Sequence, residues 1–249
     1  DIPTPGYKVG NGNNLRLWKA TATDEFDFDY FNSGDYVRAV EKKNISENIS
    51  KVLYPNDNFH LGKVLRLEQE YFFVSATLQD ILQGWKQDHD SFAELPEKIA
   101  IQLNDTHPAL AIPELLRILI DEERLDFETA WDITRRCFSY TNHTILPEAL
   151  EKWSVELFKE LLPRHLELIY RINDHVLREV TRLYPGDLAK MRNLSIIEEA
   201  PAKNLRMAQL CLHGSHAVNG VAKLHSQIIK DRIFPDFYGM YPERFQNKT

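Results

Sequence analysis

The chain has 249 residues, of which 43% are apolar and 27% are charged, and its formal net charge is −7 at pH 7. This composition is typical of a globular chain with a sizeable core. It contains no apolar run of the roughly 18 residues that a membrane-spanning helix needs. The negative charge argues against broad electrostatic binding to nucleic acid or to anionic lipid. The two cysteines, Cys137 and Cys211, are too few for a disulfide framework or a thiolate metal cluster.

The two ends of the chain predict a piece of a longer polypeptide. The sequence begins with Asp1 rather than methionine, and it stops at Thr249 directly after a polar, turn-like stretch. Six Asn-x-Ser/Thr sequons occur without a signal peptide before them. We therefore interpret the sequons as chance occurrences in a cytoplasmic protein.

Residues 1–95 combine polar turns with two predicted helices. Apolar and polar residues alternate over 14–21, which predicts a strand, and 26–29 show the same period. Helices are predicted over 36–49 and 63–83, the second from a stripe of apolar residues spaced three or four apart. The polar connector at 83–91 is predicted to be a mobile surface loop.

From residue 96 onward, the order strand, polar loop and helix occurs twice. Strands are predicted over 98–103 and 137–141, and helices over 110–123 and 127–136. A further helix is predicted to begin near Pro147. This order predicts an α/β fold with parallel strands joined by helical crossovers. We divide the chain into a strand, helix and connector portion (1–95) and an α/β and helical portion (96–249).

The rest of the chain is predicted to be mostly helical. Apolar spacing predicts helix over 147–184, and Pro163 should divide it into two helices. A short helical or turn-like stretch follows at 187–199. A last helical region is predicted over 205–233, with an interruption by small residues at 214–217.

Both predicted strand ends carry polar side chains, namely Asn104, Asp105 and His107 after the first strand and Asn142, His143 and Thr144 after the second. Ligands bind at the carboxyl ends of parallel strands. Asn, Asp and His can bind sugar hydroxyls as donors, acceptors or both. The alternative is that these residues only cap turns and helices, but their recurrence in two loops favours sugar binding. Glu148 and Glu151 could orient His143 or complement a helix N-terminus.

Three other patterns were weighed as possible sites. His213 and His216 lie three residues apart without a third ligand at a suitable spacing, so we predict no metal site. The glycines at 6, 10 and 12 favour a loop over a phosphate cradle, since no strand precedes them. The segment GSHAVNG at 214–220 is equally consistent with helix packing and with ligand lining.

Three longer motifs resemble those of the glycogen, starch and maltodextrin phosphorylases: IQLNDTHP at 101–108, YTNHTILPEALE at 140–151 and GSHAVNGVA at 214–222. Shorter similar segments are VLYPNDN at 52–58, LLPRH at 161–165 and FQNKT at 245–249. The similarity covers essentially the whole chain in order. It implies part of a GT-B glycosyltransferase fold, with a Rossmann-like parallel sheet and a long helical segment. It also implies that the chain belongs to the N-terminal domain and lacks the C-terminal cofactor domain.

The resemblance implies an α-1,4-glucan phosphorylase, which releases glucose 1-phosphate from the non-reducing end of a glucan with retention of configuration. The family uses pyridoxal 5′-phosphate, and its Schiff-base lysine is expected outside this chain. The implied partners are an α-1,4-glucan, inorganic phosphate and a second copy in a homodimer. The isolated chain is expected to be inactive, because one wall of a cleft cannot exclude water or place a nucleophile. A noncatalytic α-glucan-binding module is the alternative.

The resemblance also assigns roles to individual residues. His143 resembles the family histidine that contacts the glucosyl unit at the cleavage point, and we predict it as the catalytic residue. Predicted substrate-binding residues are Asp105, His107, Asn142, Thr144, Glu151 and Val221. A separate glycogen-storage site is implied at Tyr170, Asn173, Glu199 and Lys203. Asp174 and His175 replace the Gln and Arg of muscle-type enzymes there. The connector at 83–91 is shorter than the gate loop of regulated enzymes, which suggests weaker allosteric control.

Overall fold

The computed structural model describes residues 1–10, 12–23, 27–53 and 55–248. They form two compact units, Asp1–Ala76 and Thr77–Thr249. In the first unit, β1 (Ile2–Pro5) pairs antiparallel with β2 (Gly12–Leu15). Its helices are α1 (Phe28–Asn32), α2 (Tyr36–Ala39), α3 (Glu41–Lys51) and the first part of α4 (His60–Asp88), which continues into the second unit.

The first unit confirms the helices and corrects the strands predicted for this region. The strand predicted over 14–21 ends at Leu15. Leu15 pairs with Ile2, the first residue of β1, so β1 has no further residue with which a longer β2 could pair. In 26–29, Phe26 lies outside the described residues, and the strand prediction for the remainder is wrong. Asp27 is instead the N-cap of α1, accepting a hydrogen bond from the backbone N–H of Asp29 at 3.1 Å. The helix predicted over 36–49 is confirmed as α2 and α3. Gly6 and Gly10 lie in the connection between β1 and β2, but the expectation that no strand precedes the early glycines was wrong, and Gly12 is the first residue of β2.

The connector predicted over 83–91 is mostly helical, because α4 continues to Asp88. The residues that follow are also held in place. The indole N–H of Trp85 donates to the backbone oxygen of Ser91 at 3.0 Å. The Trp85 ring stacks on the imidazole of His89, with centroids 3.6 Å apart and planes 9° apart. The prediction of a polar loop over the whole segment was therefore wrong, since the polar residues lie on the exposed side of a helix.

The second unit contains most of the regular structure. Its strands are β3 (Ile101–Asn104), β4 (Phe138–Asn142), β5 (Lys152–Ser154), β6 (Ile197–Glu198), β7 (Asn204–Arg206), β8 (Ala217–Gly220) and β9 (Phe245–Gln246). Its α-helices are α5 (Leu95–Lys98), α6 (Ala111–Arg117), α7 (Phe127–Cys137), α8 (Val155–Leu161), α9 (Pro163–Leu183), α10 (Leu188–Leu194), α11 (Met207–His213), α12 (Lys223–Ile228) and α13 (Pro235–Met240). Short π-helical turns extend α6 over Ile118–Glu122 and α12 over Ile229–Ile233, and 3-10 turns occur at Pro147–Ala149 and Pro242–Arg244.

The central sheet of this unit has the strand order β3-β4-β8-β9, with every neighbouring pair parallel. Leu103, Tyr140 and Val218 lie side by side on adjacent strands and are buried. Both strands predicted from the sequence are confirmed as β3 and β4, and the helices predicted over 110–123 and 127–136 as α6 with its π-turn and α7. Because the strands are parallel, their carboxyl ends lie along one edge of the sheet.

Three stretches predicted to be helical or turn-like contain strands, and in 187–199 the strand is β6 near its end. Residues 147–154 form a 3-10 turn and β5, and helix begins only at Val155. Strand β5 forms a small antiparallel sheet in the order β5-β7-β6, in which the buried residues Trp153 and Leu205 face each other. Pairing with a distant strand thus overrides the helical spacing. The division at Pro163 is confirmed, since α9 begins there.

The second correction is β8, which occupies the small-residue segment predicted to interrupt a helix. Val218 of β8 pairs with Tyr140 of β4, so the segment is an interior strand of the main sheet. Gly220 is the last residue of this strand and packs against α12. A Cβ atom at Gly220 would lie 2.9 Å from the backbone nitrogen of Ser226 and 2.8 Å from Ile229 Cδ1. The small residue is needed for a close strand–helix contact.

Candidate functional site

The ends of β3 and β4 are joined by hydrogen bonds made by Asp105. Its backbone N–H donates to the carbonyl of Thr141 at 2.9 Å. Its carboxylate accepts from the backbone N–H of Thr106 at 2.8 Å and from the hydroxyl of Thr144 at 3.4 Å. Asp105 has a φ of 62°, in the left-handed region that Asp and Asn tolerate better than most residues. Asp105 therefore shapes its own turn and fixes the next loop along the sheet edge.

Asn142 stabilises the loop after β4 through side-chain hydrogen bonds. Its side chain is fully buried, with Nδ2 donating to the Tyr140 hydroxyl at 2.9 Å and Oδ1 accepting from the Thr144 backbone N–H at 3.1 Å. Burial holds the pKa of Tyr140 well above its usual value, so its hydroxyl stays protonated. Both the N–H group and the oxygen of the Asn142 amide therefore have hydrogen-bond partners within the protein.

The two predicted imidazoles lie at this same edge. His143 is exposed between the buried Asn142 and the half-buried Thr144, and His107 is exposed in the loop after β3. The structure therefore places His143, His107, Asp105 and Thr144 at the ends of two adjacent strands. Carboxylate, hydroxyl and imidazole groups gathered in this way are suited to binding the hydroxyls of a sugar.

The third strand end adds Val221, whose side chain is 46% exposed. Its backbone N–H donates to Nδ1 of His225 at 3.2 Å. The preceding N–H, that of Gly220, donates to the hydroxyl of Ser226 at 3.1 Å. Two consecutive residues of α12 therefore hold the end of β8 and present Val221 at the sheet edge.

A row of side chains that sequence reasoning missed connects the three strands. Gln102 donates through Nε2 to the Thr141 hydroxyl at 2.8 Å, and that hydroxyl donates to Oδ1 of Asn219 at 2.8 Å. These residues precede the predicted loops and occupy neighbouring positions on β3, β4 and β8. Alternation within a strand could have placed Gln102 and Thr141 on one face, but β8 was not predicted as a strand.

Glu151 directly precedes β5, a strand of the small antiparallel sheet, and does not follow a strand of the main sheet. It lines a cavity of about 370 Å³ together with Lys152, Glu198 and Arg206. Its charge also acts on the buried thiol of Cys211, whose pKa is raised first by burial and then by Glu151 and Asp105. Glu151 therefore lines this cavity, and its charge also reaches the buried Cys211.

Three of the four predicted storage-site residues form one surface cluster. Lys203 pairs with Glu199 at 3.1 Å, which raises the pKa of the lysine, and its ammonium lies 5.9 Å from the centroid of the Tyr170 ring. The fourth, Asn173, is buried beneath them. Its Oδ1 accepts hydrogen bonds from the Ile196 backbone N–H at 2.7 Å and from the Ser195 hydroxyl at 3.2 Å.

The remaining candidate features are structural. His213 is buried, with Nε2 bonded to the Leu194 carbonyl at 2.8 Å, and burial lowers its pKa to about 3. Among the described residues, no group of three or more His, Cys, Asp or Glu side chains could hold a metal ion. No helix within the described ranges is both long enough and apolar enough to cross a membrane.

A parallel α/β sheet whose strand ends carry carboxylate, amide, hydroxyl and imidazole groups is typical of the class of α/β proteins that bind ligands at one edge of the sheet. Comparison with known proteins narrows this class. A model of the family described as "Phosphorylase: Carbohydrate phosphorylase" matches residues 1–249, and the chain belongs to this family. The sheet and its helical crossovers are part of the GT-B fold of the family, which confirms the predicted fold class.

Curated relatives show the same similarity. The chain is 56% identical over 257 aligned residues to the brain form of glycogen phosphorylase from Homo sapiens and to that from Rattus norvegicus. It is 54% identical to the human muscle form. Each comparison covers 100% of this chain, and the chain spans about 30% of the length of these relatives.

Proposed function

We propose that this chain forms one wall of the catalytic cleft of an α-1,4-glucan phosphorylase. The complete enzyme would release glucose 1-phosphate from the non-reducing end of glycogen, starch or maltodextrin by phosphorolysis with retention of configuration. The hydrogen bond from Thr144 to Asp105 carries this proposal, because it joins two adjacent strand ends beside the exposed His143. Membership of the phosphorylase family supports it.

In this proposal each group has a role that follows from its chemistry. His143 contacts the glucosyl unit at the cleavage point, where an imidazole can donate to one hydroxyl and accept from another. Asp105, His107 and Thr144 bind neighbouring hydroxyls. Asn142 also belongs to the proposed binding set, and its buried contacts support a role through the shape of the Thr144 loop.

Two further residues belong to the proposed binding set. Val221 is partly exposed at the end of β8, where its side chain offers an apolar contact to a sugar ring. Glu151 is half-buried, and its charge acts on the interior beneath the same edge. We propose that Glu151 influences this edge electrostatically as well as through substrate contact.

The complete enzyme is expected to use pyridoxal 5′-phosphate, but the strand-end groups of this chain do not fit that cofactor. They are carboxylate, amide, hydroxyl and imidazole groups, whereas an aldehyde and a phosphate call for a lysine and a set of cationic donors. We therefore place cofactor binding outside these loops. The isolated chain should be inactive, because a single wall leaves the reacting atoms open to water.

The surface cluster of Tyr170, Glu199 and Lys203, with Asn173 beneath it, is proposed as a second glucan-binding site. An exposed aromatic ring beside paired charges offers both a face for a sugar ring and partners for its hydroxyls. We further propose that the complete enzyme is a cytoplasmic homodimer.

The decisive experiment measures glucose 1-phosphate release from maltoheptaose and inorganic phosphate. The complete protein that carries this chain is assayed with and without pyridoxal 5′-phosphate, and the 249-residue chain is assayed in parallel. Cofactor-dependent release by the complete protein and none by the chain is the expected result. A complete protein that binds maltoheptaose without releasing product would instead support the noncatalytic glucan-binding module.

A further inference from the structure

His225 lies in α12 beneath the sheet edge and is only 7% exposed. Its Nδ1 accepts the hydrogen bond from the backbone N–H of Val221, at the end of β8. Its Nε2 is buried and has no hydrogen-bond partner among the described residues. The backbone of Thr144, after β4, nevertheless lies near enough to favour the protonated imidazole. His225 thus lies between the loops that carry two of the proposed binding residues.

The Val221 contact determines the protonation state of His225. A backbone N–H can only donate, so Nδ1 must be unprotonated and the neutral ring carries its proton on Nε2. Burial lowers the pKa of His225 and favours this neutral form. Smaller contributions to this pKa have opposite signs. The backbone of Thr144 and the charge of Asp105 raise the pKa of His225, whereas His143 lowers it. A protonated ring would direct an N–H group at the N–H of Val221.

Packing leaves the ring little freedom. A Cβ atom at Gly220 would lie 3.0 Å from Cγ of His225, so the imidazole is against the backbone of β8. The neighbouring Ser226 holds the Gly220 N–H through its hydroxyl. The imidazole is therefore fixed both by the strand end and by its own helix.

We infer that His225 is a positioning residue of the saccharide site, whose neutral imidazole holds the end of β8 in place through the Val221 N–H. It acts through Val221 and is not assigned a contact with the sugar. The end of β8 is in turn joined to β4 and Asp105, because Asn219 accepts a hydrogen bond from the Thr141 hydroxyl and the Thr141 carbonyl accepts the N–H of Asp105. This inference rests on the proposed phosphorolysis.

Two substitutions of His225 test the hydrogen-bond acceptor and the planar ring one at a time. His225→Asn keeps an acceptor oxygen near the position of Nδ1, whereas His225→Phe keeps a planar ring and removes the acceptor. In the complete enzyme we expect His225→Phe to lower kcat/KM for maltoheptaose about tenfold or more, the scale of one lost hydrogen bond. His225→Asn should retain most of the wild-type value. His60→Asn, at an exposed histidine that begins α4, is the matched control and should retain full activity.

Hydrogen exchange of the segment 219–222 provides a readout that does not depend on activity. Faster exchange in His225→Phe and near wild-type protection in His225→Asn would support the inference. Equal kinetic losses in both variants that follow their melting temperatures, or unchanged exchange in His225→Phe, would overturn it. A wild-type enzyme that releases no glucose 1-phosphate would refute the proposed function, and hydrogen exchange would still test whether His225 orders the loop.

Discussion

The imidazole Nε2 of His165 lies 2.6 Å from the carboxylate Oε2 of Glu114, joining α9 to α6 in the interior of the second unit. Glu114 has no exposed surface and His165 has 4%. Arg117 adds two hydrogen bonds to the same carboxylate, at 2.8 and 3.0 Å. The carboxylate is therefore stabilised by two partners on different helices, which compensates for its loss of water.

Replacing His165 with Ala should destabilise the fold strongly. Removing one partner of a buried charged network typically costs about 3–5 kcal/mol, because the other group stays buried and undercompensated. Urea unfolding followed by circular dichroism measures the change. Arg178→Ala is the control, since its pair with Asp174 is exposed and should contribute little. A loss of stability no larger than that of the control would show that the network does not stabilise the fold.

Stability should fall in acid because of His213. Its pKa is about 3 in the folded chain and about 6.5 when unfolded, so between these values the unfolded state binds a proton that the folded state does not. The contribution of neutral His213 is fully present above pH 6.5 and is lost progressively toward pH 3, with a slope of up to about 1.4 kcal/mol per pH unit. Unfolding free energies measured from pH 7 to 4 test this. His213→Gln should flatten the decline, and an equally steep decline in that variant would assign it to other groups.

Replacing His143 with Ala in the complete enzyme should lower turnover strongly and leave stability nearly unchanged. The side chain is exposed, so its loss should change the unfolding free energy by no more than about 0.5 kcal/mol. Turnover of maltoheptaose should fall about a hundredfold or more if the imidazole contacts the glucosyl unit in the transition state. Glucose 1-phosphate release and thermal unfolding are compared with those of His60→Ala, an exposed histidine of α4. Parallel losses of turnover and stability would remove the sugar-contact role.

Replacing Glu199 and Lys203 together with Ala should weaken binding of branched polysaccharide. The pair lies beside Tyr170 on the surface, so short maltodextrins should still be turned over at the wild-type rate. Co-sedimentation with glycogen measures the affinity. A double replacement of Glu47 and Lys51 with Ala is a matched loss of one i,i+4 ion pair on another helix, α3. Unchanged affinity for glycogen in the Glu199 and Lys203 variant would eliminate the storage-site proposal.

Local sequence patterns determined much of the α/β unit. Alternation and apolar content predicted β3 and β4, helical spacing predicted α6, α7 and α9, and Pro163 marked the beginning of α9. The polar residues after β3 and β4 were recognisable because they interrupt apolar segments. Motifs shared with the phosphorylases identified the family, which comparison with known proteins confirmed.

Only the tertiary structure decided which segments pair and which side chains meet. Strands β5 and β8 lie in segments with helical spacing or small residues, and they form because Trp153 and Val218 pair with residues from distant parts of the chain. The Thr144–Asp105 hydrogen bond spans 39 residues, and the position of His225 beneath Val221 depends on where α12 packs. Local periodicity reports how a segment folds against a surface, whereas hydrogen bonds between strand ends depend on contacts that no local pattern encodes.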